Sequence, residues 1–412
     1  MKNRLNKVLG IALFVGLSSP IAIFAQEKTF KVTVEEPDNG SIKITPAIPE
    51  DGLVKEGTVL KIKTTPDSGF SSDGGYFYNP GEGMWTQYHE TMKPEFEVVV
   101  DREKVLGASF IESDELEGFK VTNNVVYAKP GVKELKYDVF SPEGAKNLPG
   151  IVIIHGGGWS SNTEDIMRGM ARELVKSKQY VVFSIDYRWI GQLDGDKEPN
   201  TMGDLIEDVY GAIAHIQEHA KKYGCDPTRI AVTGDSAGGH LSASAANMVD
   251  MIGDGGFGEK EGVYEYKPTY MPKGKTVAQV RKEIKDAIKV AAPSYGVFEG
   301  SFIKRFNKDI TDGEIAAISP IESIPNIEER AVPQYLIRGT TDFLIKDEDV
   351  QKYADALEAD GQTVKYVQVE GAGHAFFDWK PDATTKETFA KYGKPYIEDM
   401  KQFFDAVFYP GK

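Results

Sequence analysis

Cysteine is nearly absent: the 412 residues hold one, Cys225. That excludes an intrachain disulfide, an iron–sulfur cluster and a cysteine-built zinc site. Followed by Asp226 and Pro227, Cys225 is expected to be a small buried filler. Positive charge is also short, with 48 Lys and Arg against 63 Asp and Glu and a formal net charge of −15. Without a basic footprint, nucleic acid and anionic lipid surfaces are poor partners. Beyond the first 25 residues no stretch is apolar enough to span a bilayer, which takes about 20 residues. Gly (42) and Pro (21) are at ordinary levels, so collagen-like and low-complexity states are excluded. What remains is an ordinary globular composition, 41% hydrophobic and 27% charged. Roughly 385 residues beyond the leader suggest two domains, or one large domain with an appendage.

Residues 1–25 read as a secretory signal. Lys2, Arg4 and Lys7 start it, residues 8–17 are apolar, and Ser18, Ser19 and Pro20 break the run too early for a membrane anchor. Cleavage after Ala25 and export, to the periplasm or beyond, are expected. With no Cys near that point, no lipoprotein anchor is expected.

Residues 26–113 read as a small β module. Alternation over 29–34, turn chemistry at Pro37, Asp38, Asn39 and Gly40, and alternation over 41–45 predict a hairpin. Further strands are expected at 58–64, 97–100 and 105–111. Tyr76, Phe77, Tyr78, Trp85 and Tyr88 are expected to form the module's core rather than a sugar-binding face. The segments "PDNGSIKITP", "EGTVLKIKTTPDSGF" and "VLGASF" resemble one unit of the divergent B-repeat type found on bacterial exported proteins.

From residue 119 the pattern changes to short apolar strands alternating with helices. Strands are expected at 121–127, 133–140, 151–154, 181–185, 230–233, 288–292, 334–337 and 364–369. Helices are expected at 163–178, 202–223, 237–248 and 385–408. That alternation implies a mostly parallel sheet with helices on both faces. Residues 250–287, rich in Gly and Tyr, break the pattern and read as an insertion placed to cover an active site.

The chemistry concentrates in "GDSAGG", residues 234–239. A Gly-x-Ser-x-Gly on a strand-to-helix turn forces the serine outward with its hydroxyl exposed. A phosphate-binding turn is disfavoured, because no Lys follows and Asp235 would repel an anion. Ser236 needs a base, and the base an orienting acid. Of the six histidines, at 89, 155, 215, 219, 240 and 374, only His374 follows a core strand on a Gly-Ala-Gly loop. Asp342 directly follows the strand at 334–337, whereas Asp347 and Asp349 fall where the next helix starts. The chain order Ser236, Asp342, His374 is that of an α/β-hydrolase. An oxyanion needs waiting donors, and the backbone N–H groups of Gly157, Gly158 and Ala237 are the candidates. His155 is expected to brace the loop that carries the glycines. Trp159, Tyr187, Trp189, Tyr295 and Phe376, with Trp379, follow strand ends and are candidates for lining the substrate pocket.

Residues 119–412 resemble the α/β-hydrolase esterases with an HGGG oxyanion loop, the hormone-sensitive-lipase-like and bacterial feruloyl/acetyl-xylan esterase-like groups. The matching segments are "IVIIHGGGW", "YRW", "RIAVTGDSAGGHLSA", "SPIESI", "RGTTD" and "GAGHAFF". The resemblance implies hydrolysis of a carboxylic ester through an acyl-enzyme, with neither metal nor cofactor. With the leader and the β module, it leans toward acetyl or feruloyl-type esters on plant polysaccharide. A peptidase of the prolyl-oligopeptidase type shares the chain order but lacks the HGGG loop. A carbohydrate-binding protein with an inactive hydrolase domain would not keep all three catalytic side chains.

Overall fold

A computed structural model describes residues 27–81 and 86–411. The leader and Trp85 lie outside the described residues. Among the described residues no helix is long and apolar enough to cross a membrane.

The large sheet has eight strands. From one edge they run Val364–Val369, Gln334–Gly339, Ile288–Ser294, Cys225–Asp235, Leu148–Ile154, Val181–Ile185, Leu135–Pro142 and Phe119–Ala128. The first six are mutually parallel, and Leu135–Pro142 pairs antiparallel with both its neighbours. Its strands read as continuous apolar runs because both faces are covered. Val152 and Ile154 join one core with the helices Met202–His219 and Val277–Ala287. Ile151 and Ile153 join the other, with the helices Arg168–Lys176 and Lys394–Phe408. Cys225 is buried, and its Sγ lies where a side chain on Gly150 would stand.

Ahead of this sheet stand two small ones. Thr29–Val34, Leu53–Lys55, Phe70–Tyr78, His89–Thr91 and Lys104–Glu112 form five strands. Gly40–Thr45, Val59–Pro66 and Glu95–Val99 form three. The expected hairpin does not form. Thr29–Val34 pairs with Leu53–Lys55 and Lys104–Glu112, whereas Gly40–Thr45 pairs with Val59–Pro66. The turn at 37–40 carries the chain from one sheet to the other, because alternation fixes a strand's faces but not its partner. The core between the sheets is aliphatic, built on Val32, Val54, Leu60, Ile62, Val98 and Leu106, with Phe30, Phe77 and Phe96 packed against it. The tyrosines stand apart from that core. Tyr76 and Tyr78 both donate to Glu35, at 2.7 and 2.8 Å, and Tyr88 meets each edge-on.

The small sheets dock on the large domain through buried charge. Asp73, fully buried, accepts from Arg168 Nε (3.1 Å), Arg172 Nη1 (2.8 Å) and Trp379 Nε1 (2.7 Å). Glu90 accepts from Arg168 Nη2 at 2.6 Å, and Lys386 donates to Ser109 Oγ at 2.6 Å. Burial would raise the pKa of Asp73, but the Arg168 and Arg172 guanidiniums hold it far below the usual carboxylate range.

Residues 250–287 do not cover the active site; none of them lines the cavity described below. Tyr266 is buried and donates to the Ala317 carbonyl, Tyr270 bonds Glu218, and Thr269 bonds Asp208. Two of these contacts fall on the helix Met202–His219, so the segment's polar tips turn toward its flank. Its last part is the helix Val277–Ala287, started by a Thr276–Gln279 capping box.

Candidate active site

Parallel strands deliver their following residues to one edge of the sheet, and clefts form there. Ser236 stands between the strand Cys225–Asp235 and the helix Ala237–Asn247 at φ 53°, ψ −113°. A non-glycine residue held there costs ~1–3 kcal/mol and persists only where its surroundings enforce it. Here the Ser236 N–H is fixed to the Ser294 carbonyl at 2.9 Å. The turn is also pressed against the neighbouring strand, since a Cβ on Gly238 would overlap the Ile154 carbonyl oxygen.

His374 Nε2 lies 2.9 Å from Ser236 Oγ, and His374 Nδ1 lies 2.7 Å from Asp342 Oδ2. The other carboxylate oxygen, Asp342 Oδ1, accepts the backbone N–H groups of Leu344 (2.8 Å) and Ile345 (3.0 Å). Burial pushes the Asp342 pKa up, but His374 and these amides bring it below the usual carboxylate value. Asp347 and Asp349 lie in the first turn of the helix Asp347–Ala359. Of the other histidines, His89 stacks on Phe77, His215 pairs with the Tyr137 hydroxyl, and His219 stacks on His215. His240 is buried with Nε2 2.8 Å from the Ile318 carbonyl.

Gly157 and Gly158 border the same cavity as Ser236 and His374. Both have positive φ, 114° and 60°. A Cβ on Gly157 would strike the Ser161 carbonyl. Ala237 opens the helix after Ser236, where first-turn N–H groups have no partner within the helix. His155 braces this loop: Nδ1 is 2.6 Å from the Gly156 carbonyl and Nε2 3.3 Å from Asp186 Oδ1. Its ring stacks on Tyr187 at 4.2 Å. Gly156 N–H donates to Asp235 Oδ1 at 2.7 Å. Asp235 also hydrogen-bonds Asp378, and burial together with that neighbouring carboxyl keeps its pKa well above normal. Asp235 therefore ties the glycine loop, the serine turn and the loop after His374 together.

The cavity above Ser236 has a volume of about 830 Å³. Of the five aromatic candidates, Trp159 lines it. Tyr187, Tyr295 and Phe376 are fully buried behind it. Tyr187 donates to the His155 carbonyl at 2.9 Å, and Tyr295 packs edge-on against the His374 ring at 5.0 Å. Phe376 packs on Tyr295 and Phe377. Trp189 points elsewhere, its indole donating to the Asn162 carbonyl and its ring lying under Lys133. Trp379 belongs to the docking interface. Strand-end position brings an aromatic near the site, but its rotamer decides whether it faces the cavity or the core. The sequence reading missed Phe302, which stacks on Trp159 at 4.1 Å, as well as Phe298, Arg305 and Ile321. All four come from the long connection between the strands Ile288–Ser294 and Gln334–Gly339, and its length at a strand's C-terminal end was the available signal. Gln87, from the N-terminal sheets, lines the cavity too, and nothing in the sequence pointed to it. Among the described residues no group of three His, Cys, Asp or Glu side chains could hold a metal ion.

Residues 137–294 match the BD-FAE family, and residues 273–408 match the dienelactone hydrolase family. Carboxylesterase NlhH of Mycobacterium tuberculosis is 37% identical over 124 residues, 30% of this chain and 37% of that protein. Esterase LipQ of the same organism is 26% identical, over 62% of this chain and 57% of its own length. The chain thus spans between about a third and three-fifths of these curated relatives. Among solved structures, the propionate-bound Thermogutta terrifontis esterase Est2 superposes with a TM-score of 0.52 at 23% identity. That match covers 72% of this chain and 97% of the esterase. The large domain has the α/β-hydrolase fold.

Proposed function

We propose that this chain is an exported serine carboxylic-ester hydrolase, acting through an acyl-enzyme on acetyl or feruloyl-type esters carried by plant polysaccharide. The observation that carries the reading is the continuous relay from Ser236 Oγ through His374 to Asp342, at 2.9 and 2.7 Å. In this reading His374 takes the serine proton through Nε2 as Oγ attacks the ester carbonyl. Asp342 holds Nδ1–H, which fixes the ring's tautomer and stabilises its charge once formed. Negative charge builds on the carbonyl oxygen, and the N–H groups of Gly157, Gly158 and Ala237 receive it. His374 then protonates the departing alcohol. Water repeats the cycle on the acyl-enzyme and frees the acid.

The esterase relatives support the ester class, and the leader pattern supports export. A cavity of about 830 Å³, lined in part by Trp159, Phe298 and Phe302, supports an acyl group of feruloyl size as well as an acetyl group. The test is hydrolysis of p-nitrophenyl acetate, butyrate and octanoate beside methyl ferulate and acetylated xylan, with Ser236→Ala as control. Activity on acetyl or feruloyl substrates that vanishes in the variant is expected. A folded protein inert on all of them would overturn the reading.

A further inference from the structure

Two kinds of side chain line the cavity around Ser236. Phe298, Phe302, Ile321 and Leu344 are apolar. Gln87, Lys380, Thr384 and Thr388 bring an amide, an ammonium and two hydroxyls. Thr384 and Thr388 are one turn apart on the helix Ala383–Thr388. Lys380 Nζ is 3.2 Å from Asp378 Oδ2. Among the described residues the side chains of Gln87, Thr384 and Thr388 have no hydrogen-bond partner within the chain.

The polar set is assembled from two parts of the sequence held rigidly together. Trp379, ahead of the threonines, and Lys386, between them, bond Asp73 and Ser109 of the N-terminal sheets, at 2.7 and 2.6 Å. Gln87 precedes Tyr88, whose ring is held edge-on against Tyr76 and Tyr78 at 5.4 and 5.3 Å. The solved esterase aligned over 97% of its length accounts for 72% of this chain, and both family matches begin after residue 136. Gln87 thus comes from outside both family matches, whereas Lys380, Thr384 and Thr388 fall within the second.

We propose that the N-terminal β module is one wall of the active-site cleft, and that Gln87, Lys380, Thr384 and Thr388 form a subsite for the alcohol moiety of the ester, a polyhydroxylated sugar. The acyl group packs on the apolar side chains Phe298, Phe302, Ile321 and Leu344. The proposal rests on the carbohydrate-ester reading above and specifies which residues grip the sugar. Unpaired amide and hydroxyl groups at a cavity wall suit a ligand that offers both donors and acceptors at close spacing, as sugar hydroxyls do.

The experiment uses the full chain and the variants Gln87→Ala and Thr388→Val, singly and together. It compares kcat/KM on an acetylated xylo-oligosaccharide with kcat/KM on p-nitrophenyl acetate, and measures competitive inhibition by the unacetylated xylo-oligosaccharide. Loss of two neutral hydrogen bonds should lower the ratio of the two kcat/KM values about tenfold in the double variant and weaken the inhibition by a similar factor. If the unaltered protein hydrolyses both substrates and neither quantity moves by more than twofold, the subsite is refuted while the carbohydrate-ester reading stands. If it hydrolyses p-nitrophenyl acetate but not the oligosaccharide ester, that reading fails and the subsite with it.

Discussion

Replacing Asp342 by Asn tests the relay by a route that the geometry dictates. The two oxygens of Asp342 have different partners. Oδ1 accepts two backbone N–H groups, from Leu344 and Ile345, while Oδ2 faces His374 Nδ1. An asparagine has one oxygen and one NH2 group. Its oxygen must go to the two amides, because turning the NH2 toward them would set donors against donors. The NH2 then faces His374 Nδ1 and drives the ring into the tautomer with a bare Nδ1 and a protonated Nε2. That Nε2 can no longer take the Ser236 proton. Size, packing and the surrounding backbone stay as they were, so KM should change little. The loss falls on kcat and should reach about 10⁴-fold, or about 5 kcal/mol of transition-state stabilisation. Steady-state hydrolysis of p-nitrophenyl acetate, with a melting curve to verify the fold, reads it. A variant within tenfold of wild type in kcat, or one changed only in KM, would refute the argument.

Three other perturbations have definite outcomes. Asp73→Ala leaves Arg172 without its carboxylate in a buried interface, and urea unfolding should show a loss of ~3–5 kcal/mol; a loss under 1 kcal/mol would mean that the interface is solvated. His240 has a pKa lowered by burial to about 4. It is neutral in both states above about pH 6.5, but on acidification the unfolded chain takes up the proton first, so stability is lost from pH 6.5 down to about 4. His240→Leu removes this contribution, and its stability relative to wild type should improve by about 3 kcal/mol between pH 7 and pH 4; a pH-independent difference would refute it. Gly157→Ala places a methyl group against the Ser161 carbonyl, and kcat should fall ~10²–10³-fold as the donor loop shifts, while a variant with unchanged kcat would remove Gly157 from the oxyanion hole.

The features legible in the sequence are those that one short segment determines by itself. Ser236 faces the cavity because a strand-to-helix turn with flanking glycines turns its side chain outward. Asp342 and His374 follow because strand ends in a parallel sheet converge. The parallel order itself follows from apolar strands that alternate with helices. The features not legible depend on which distant surface a side chain meets. Tyr187, Tyr295 and Phe376 sit at strand ends like Trp159, yet they turn inward to support His155 and His374. The strand Thr29–Val34 has the alternation of a hairpin partner, yet its neighbours come from residues 53–55 and 104–112. Residues 250–287 have the length of a lid, but their contacts lie on the domain's flank. Gln87 carries no local signal, because its place at the cleft is set by an ion cluster formed with residues nearly a hundred positions away.

The Asp73 cluster also bears on how such a chain can be cut and recombined. The joint between the β module and the large domain, near residues 113–119, is where a gene would naturally be divided. A catalytic fragment beginning there would carry Arg168 and Arg172 without the Asp73 carboxylate they share, and Trp379 without its acceptor, a few residues from His374. A different module grafted at that joint would have to supply an acid at the position of Asp73 before it could seat at all. The unit of exchange in this architecture is therefore the module together with its matching arginines, and the two halves are expected to vary as a pair.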